Sequence, residues 1–319
     1  MLITQDDIDR YVPPKTAIAV KQADLFVDDV KDAFFSPESL HGATLPWPKT
    51  YDNIRFLPGT VTLWSGVNGH GKSMLSGHCA LDLCFQNQKV AIASFEMKPA
   101  ATLKRMTRQA LGFSNPTEQF IDQFHEFLKG RLWIYDQQGT CDYKEVMKVI
   151  RYCADVLGIQ HFFVDSLMKL CREEDNYNQQ KAVVDELTSI ARDHNICIHL
   201  IHHIRKLVDE SQVPGKMDVK GSGAIVDQVD IALTVWRNKK KEARIARGEE
   251  DDGVDSLLVC DKNRHGEWEG RIGLFFNKDG QFYGEHDKWR PNYTDRIDKI
   301  CRQSQSSLTN VVPFSAKSK

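Results

Sequence analysis

The sequence predicts an α/β fold: a mainly parallel sheet with helices on both faces and an antiparallel hairpin extension at its C-terminal edge. Three observations carry that expectation. From Leu57 onward, short apolar runs alternate with stretches long enough for crossover helices. The first run opens directly into a glycine-rich loop, SGVNGHGKSM, Ser65 to Met74. Late in the chain, SLLVCDKNRHGEWEGRIGLFFNKDGQFY (256–283) alternates between glycine breaks, which is the pattern of antiparallel ribbons.

The strand candidates are TVTLWSG (60–66), KVAIASFE (89–96), RLWIYDQ (131–137), HFFVDS (161–166), ICIHLIHH (196–203) and DIALTVWR (230–237). Before them, QADLFVDDVKDAFF (22–35) places Leu25, Phe26, Val30 and Phe34 at helical spacing. Such a helix could cover the chain's own core or dock on a neighbouring subunit. PESLHGATLPWPKT follows, with three prolines and a glycine, and reads as a connector. The end, SQSSLTNVVPFSAKSK, is polar and Ser-rich and reads as unstructured. The expected division is an N-terminal arm over 1–45, a core over 46–285 and a polar, disordered tail over 286–319.

Composition narrows the function classes. A net charge of −2 provides no global field toward nucleic acid, so any such binding must come from local patches. No apolar run approaches the length of a membrane span. The acidic start MLITQDDIDR reads as neither a secretory signal nor a transit peptide. Eight cysteines without a CxxC pair lack the clustering of a zinc site and read as buried free thiols in a reducing, cytoplasmic setting.

Gly66-Val67-Asn68-Gly69-His70-Gly71-Lys72-Ser73 fits G-x-x-x-x-G-K-[ST] without a mismatch. Glycines let backbone N–H groups turn inward as an anion nest, and the helix that follows points its positive end at the phosphates. Lys72 is placed to reach the β- and γ-phosphates, and Ser73 to take Mg²⁺. The expected ligands are therefore ATP, or another NTP, and Mg²⁺. Downstream, Glu96 ends the second run, where a carboxylate can polarise a water as general base. Asp165 ends HFFVD, the arrangement that holds Mg²⁺ through water. His203 ends the next run and could sense the γ-phosphate.

Between Arg205 and Gly223 lies a long loop carrying Arg205, Lys206, Lys216 and Lys220. It could hold successive phosphates of a single strand, or be a solvated loop. The basic run RNKKKEARIAR (237–247), followed by EEDD, reads mainly as a solvated edge insertion, with contact to DNA as its second reading.

Together these pieces resemble the DnaB-type replicative helicase family, which includes phage primase-helicases and the mitochondrial helicase Twinkle. The likeness runs from about Leu57 to Tyr283. SFEM, with Arg105 nine residues after Glu96, is similar to the segment bearing the family's catalytic glutamate, and HFFVDSLMKL to its Walker B strand. LIHHIRK resembles the sensor motif, with His203 at the probing position and His202 adjacent. MDVKGSGAIVDQVDIALTVWRN resembles the DNA-binding loop and helix, with Lys220 where arginine is common and Gly221-Ser222 at the backbone-contact position. CDKNRHG resembles the basic element that reaches a neighbour's ATP site, here Lys262 and Arg264.

The resemblance implies a RecA-like core, a homo-hexameric ring with ATP sites at subunit junctions, and 5′ to 3′ movement on single-stranded DNA at replication forks. It makes a primase, a polymerase or a single-strand-binding protein the expected partners. It also makes a stand-alone motor of phage or mobile-element origin the expected source, working in a bacterial host or phage-infected cell. Two other readings stay open: a RecA-like DNA-dependent ATPase for recombination without unwinding, and a nucleotide-gated single-strand binding protein.

Overall fold

The structure is a computed structural model describing residues 3–11, 22–35, 42–171, 176–204, 212–215, 218 and 223–309. Its strands are β1 (Ala43–Thr44), β2 (Arg55–Phe56), β3 (Val61–Ser65), β4 (Val90–Ser94), β5 (Leu132–Tyr135) and β6 (His161–Asp165). They continue with β7 (Cys197–Ile201), β8 (Ile231–Arg237), β9 (Ser256–Asn263), β10 (Gly270–Asn277) and β11 (Phe282–Gly284). The helices are α1 (Gln5–Asp9), α2 (Val27–Phe35), α3 (Lys72–Phe85), α4 (Pro99–Leu111) and α5 (Glu118–Leu128). Then come α6 (Tyr143–Tyr152), α7 (Tyr177–Asp193), α8 (Gly223–Gln228), α9 (Lys239–Ala246) and α10 (Thr294–Thr309).

β1 and β2 form a small antiparallel pair. The other nine strands make one sheet, in the order β11-β10-β9-β8-β3-β7-β6-β4-β5. β8, β3, β7, β6, β4 and β5 run parallel, and β9, β10 and β11 extend the sheet antiparallel from β8. All six expected strands form, each somewhat shorter than its apolar run.

Side chains on a strand alternate between faces, so a doubly covered sheet needs apolar residues at both parities. On β6, Phe163 joins the core on one face while Phe162 and Val164 join the other. On β7, Cys197 and Ile201 divide in the same way from Ile198 and Leu200. Helices α3, α4 and α5 supply the first core, and α6 and α7 the second.

The middle of the sheet also buries polar rings. Trp64 Nε1 donates to His199 Nδ1 at 3.3 Å, and His199 Nε2 lies 3.1 Å from His161 Nδ1. Indole N–H is a donor only, so His199 accepts on Nδ1, and its proton on Nε2 is donated to His161. Both imidazoles are held neutral by burial, His161 down to about 3.

Two expectations need correction. The connector is not wholly irregular: it contains β1 and buries Leu45 and Trp47 completely. The tail is not unstructured from 286, because Tyr293, just before α10, and Ile297 and Cys301 on it dock on the core. Phe85 stacks between Phe127 and Tyr293, with 4.2 Å between ring centroids on each side, and Tyr293 Oη donates to Asp82 at 2.7 Å. Each such aromatic pair contributes about 1 kcal/mol beyond its buried area. The part of the Ser-rich ending from 310 on lies outside the described residues. Of the two uses open to the 22–35 helix, covering its own chain's core is not the one observed. Leu25, Val30, Phe34 and Phe35 are all exposed, up to 83% for Phe35.

The basic run 237–247 spans the end of β8 and α9, and four of its six basic residues pair with nearby carboxylates. Arg237 pairs with Glu242 at 2.5 Å, Lys241 with Asp255 at 2.8 Å, Arg244 with Asp251 at 2.9 Å and Arg247 with Glu249 at 2.7 Å. All eight cysteines are free, and burial pushes the Cys84, Cys153, Cys197 and Cys260 thiols up to about 12. No helix among the described residues is long and apolar enough to cross a membrane.

Candidate active site

In a parallel sheet every strand points the same way, so the residues that follow the strands gather at one end. Here that end collects the loop after β3, the turn after β4, the last residue of β6 and the residues after β7. Asn68, Gly69, Gly71, Lys72, Ser73, Glu96, Arg105 and His203 line one cleft of about 910 Å³, together with Met97, Met168, Lys169 and Tyr177.

Two glycines of the loop are required by what surrounds them. A Cβ on Gly66 would lie 2.5 Å from the Val235 carbonyl oxygen of β8. Gly71 adopts φ +90°, and a Cβ there would strike the Tyr283 hydroxyl. α3 begins at Lys72, directly after Gly71, so the first free N–H groups of the helix face the cleft.

Lys72 Nζ donates to the carbonyls of Gly66 at 2.9 Å and Val67 at 3.1 Å. Burial pushes this ammonium down to about 8, against the opposing pull of Asp165 and Glu96. Arg105 is likewise lowered by burial, opposed by Asp165 and Tyr283. Asp165 is almost enclosed, and burial raises its carboxyl, with the Ser73 side chain hydrogen-bonding to it. A hydroxyl and a carboxylate side by side at the loop form the hard oxygen pair that suits Mg²⁺.

Glu96 stands two residues past the end of β4, and its carboxylate is 39% exposed, so it is open to the cleft. His203 Nε2 lies 3.9 Å from it. Of the two adjacent histidines, His203 lines the cleft, while His202 is fully buried.

Two of the loop residues expected to bind the nucleotide do not line the cleft. Gly66 shapes the turn from below, and His70 is fully buried, its Nδ1 accepting from Arg237 N at 3.2 Å. His70 therefore ties the loop to β8 instead of facing the phosphate site.

Lys262 and Arg264 lie at the other end of the sheet. β9 runs antiparallel, so its last residues come beside the start of β8: Ile231 pairs with Asn263. Lys262 Nζ donates to the carbonyls of Val226 at 2.8 Å and Asp227 at 2.9 Å. Arg264 pairs with the buried Asp230 at 3.0 Å and also donates to Asp227 O at 3.1 Å. Neither reaches the cleft of its own chain. Arg205, Lys206, Lys216, Lys220, Gly221 and Ser222, the expected DNA contacts, lie outside the described residues.

Sequence reasoning missed Asp230, Tyr283, Ser166 and Gln138. Asp230 directly precedes a strand, and Ser166 directly follows Asp165, so both were signalled by neighbours. Tyr283 reaches the phosphate loop from β11, across the sheet order, and no local pattern announces it.

Comparison with known proteins agrees with this geometry. One solved ATPase domain superposes with a TM-score of 0.71 at 16% identity, covering 83% of this chain and 99% of that one. A DnaB-like replicative helicase, whose structure addresses its interactions with primase, gives 0.70 at 16% identity, covering 83% and 68%. At that identity the likeness establishes the shared fold. The sequence match goes further: residues 55–285 fit the family described as the DnaB-like helicase C terminal domain. Spanning most of the chain, that match makes it a member of the DnaB-like helicase family, an NTP-hydrolysing helicase motor of DNA replication.

Proposed function

We propose that this chain works as a homo-hexameric ring that hydrolyses ATP at its subunit junctions and moves 5′ to 3′ along single-stranded DNA at replication forks. The observation that carries this reading is the separation of Arg264 and Lys262 from the cleft of their own chain. A finger that cannot serve its own site fits a site completed by a second copy.

In this reading the loop N–H groups and Lys72 bind the β- and γ-phosphates, and Glu96 draws a proton from the attacking water. His203, beside Glu96, registers the γ-phosphate. Ser73 and Asp165 would hold Mg²⁺, which supplies charge neutralisation at the phosphate oxygens. Arg264 of the next copy stabilises the charge that spreads over the transferred phosphoryl group, which makes hydrolysis conditional on the neighbour. The exposed apolar face of α2 is suited to covering an adjacent subunit. The basic loop between Ile204 and Gly223 is the proposed grip on DNA. A primase, a polymerase or a single-strand-binding protein is the proposed company at the fork.

Fork unwinding by the wild type and by Lys72→Ala tests the motor. Loss of both hydrolysis and unwinding in the variant is expected, and equal unwinding by both would sink the assignment. DNA-stimulated hydrolysis without any unwinding would favour the recombination-type ATPase instead. Mass measurement with an ATP analogue and Mg²⁺ tests the hexamer.

A further inference from the structure

Glu96 lies outside regular structure, two residues beyond β4, so strand pairing does not hold its side chain in place. A flexible carboxylate on a free turn would spend most of its time off target, since a glutamate loses about 1.5–2 kcal/mol of rotamer freedom when fixed. A general base must be held within hydrogen-bond reach of its water. Something has to aim it.

Two side chains are placed to do so. Ser166, fully buried directly after Asp165, donates from Oγ to Glu96 Oε1 at 3.2 Å. Gln138, exposed in the loop after β5, reaches across the turn and donates to the carbonyls of Met97 at 3.2 Å and Ser94 at 3.4 Å. The backbone reinforces the same turn. Gly139 N donates to Phe95 O at 2.9 Å, and Phe95 N donates to Asp165 O at 2.9 Å.

We infer that Ser166 and Gln138 are positioning residues for Glu96, Ser166 orienting the carboxylate and Gln138 pinning the turn that carries it. The inference rests on the proposed role of Glu96 as the base in hydrolysis. Ser166 suits the task because its hydroxyl donates without bringing a charge, so the carboxylate stays available to the water. Gln138 suits it because two carbonyls flanking Glu96 share one amide. Neither side chain lines the nucleotide cleft, so losing them should spare nucleotide binding and cost only the chemical step.

The test is steady-state DNA-stimulated ATP hydrolysis by the full chain with Ser166→Ala and, separately, Gln138→Ala. Expected is a fall in kcat of roughly ten- to a hundredfold, with KM for ATP within about twofold of wild type. Ser166→Thr, which keeps the hydroxyl, should recover most of the rate. In a Glu96→Gln background, Ser166→Ala should cost nothing further, because the two act through one group. Ser166 is enclosed, so the exposed Gln138 gives a variant whose loss cannot be blamed on packing. If Glu96→Gln is inactive while both alanine variants run at the wild-type kcat, the positioning roles fall and the base stands. If Glu96→Gln hydrolyses ATP at the wild-type rate, the base assignment falls and takes the positioning roles with it. A loss carried by KM, or additive with Glu96→Gln, would also overturn the inference.

Discussion

The two ends of the sheet treat their charged groups in opposite ways. At the end where β3, β4, β6 and β7 finish, Lys72, Glu96 and Arg105 line one cleft, and Asp165 sits in the adjoining pocket with Ser73 and Arg105, where its charge opposes the lowering of Lys72 and Arg105 by burial. At the other end, Arg264 and Lys262 are held against Asp230 and the last carbonyls of α8, and face no cleft of their own chain. Both ends are held by named hydrogen bonds, so neither is a loose surface. The difference teaches what the proposed ring would have to do: bring the Arg264 end of one copy to the cleft of another, because the two ends do not meet within one chain.

That comparison can be broken by experiment, and the largest effect belongs to the finger. Arg264→Ala should leave nucleotide binding near wild type and lower DNA-stimulated hydrolysis by about a thousandfold, the usual worth of an arginine supplied in trans. Mixing Arg264→Ala with Lys72→Ala should restore part of the hydrolysis, because some junctions then pair an intact loop with an intact finger. Activity in neither variant nor mixture would mean that the two ends do not meet. A smaller effect is expected at the support. Asp230→Asn keeps an acceptor for Val61 N, now bonded at 2.9 Å, but removes the charge that orients Arg264. A loss of about tenfold in hydrolysis, corresponding to one charged hydrogen bond, with an unchanged melting temperature, would sharpen the assignment of roles at that end.

The smallest effect at neutral pH lies between the two ends, in the buried imidazoles. His78 and His161 are each pushed down to about 3 by burial, and His199 is lowered as well. The unfolded chain takes up protons near 6.5, and the folded chain resists doing so. The stabilisation is therefore whole above 6.5 and drains away as pH falls from 6.5 toward 3, by about 1.4 kcal/mol per unit for each histidine. Thermal melting followed from pH 7.5 to 5 should show the midpoint flat at first and then falling. A midpoint that rose on acidification would contradict the burial of these rings.

Much of this was legible in the sequence. The loop chemistry of Gly66 to Ser73 is local, and a parallel sheet brings Glu96, Asp165 and His203 to the same end once the strands are recognised. Lys262 and Arg264 were legible only through resemblance, and their place at the far end follows from β9 running antiparallel. What misled was composition. The polar character of the segment from 286 on hid Tyr293, Ile297 and Cys301, which recur every four residues and are buried just before and along α10. The basic run 237–247 is the solvated edge segment expected of it, and what the run alone did not announce is that Asp251 and Asp255, beyond α9, pair with Arg244 and Lys241. His70 fell within the motif, but long-range packing against β8 turned its ring away from the cleft.

The docking of α10 bears on where this folding unit ends. The family match stops at 285, but Phe85 on the helix that carries Lys72 is sandwiched by a ring from position 293. Asp82 on that same helix also takes its hydrogen bond from Tyr293. A chain cut at the edge of the family match would uncover Phe85 and leave a buried carboxylate short of a donor, one helix away from the phosphates. Position 293, just ahead of α10, is thus part of the packing that holds the helix carrying Lys72.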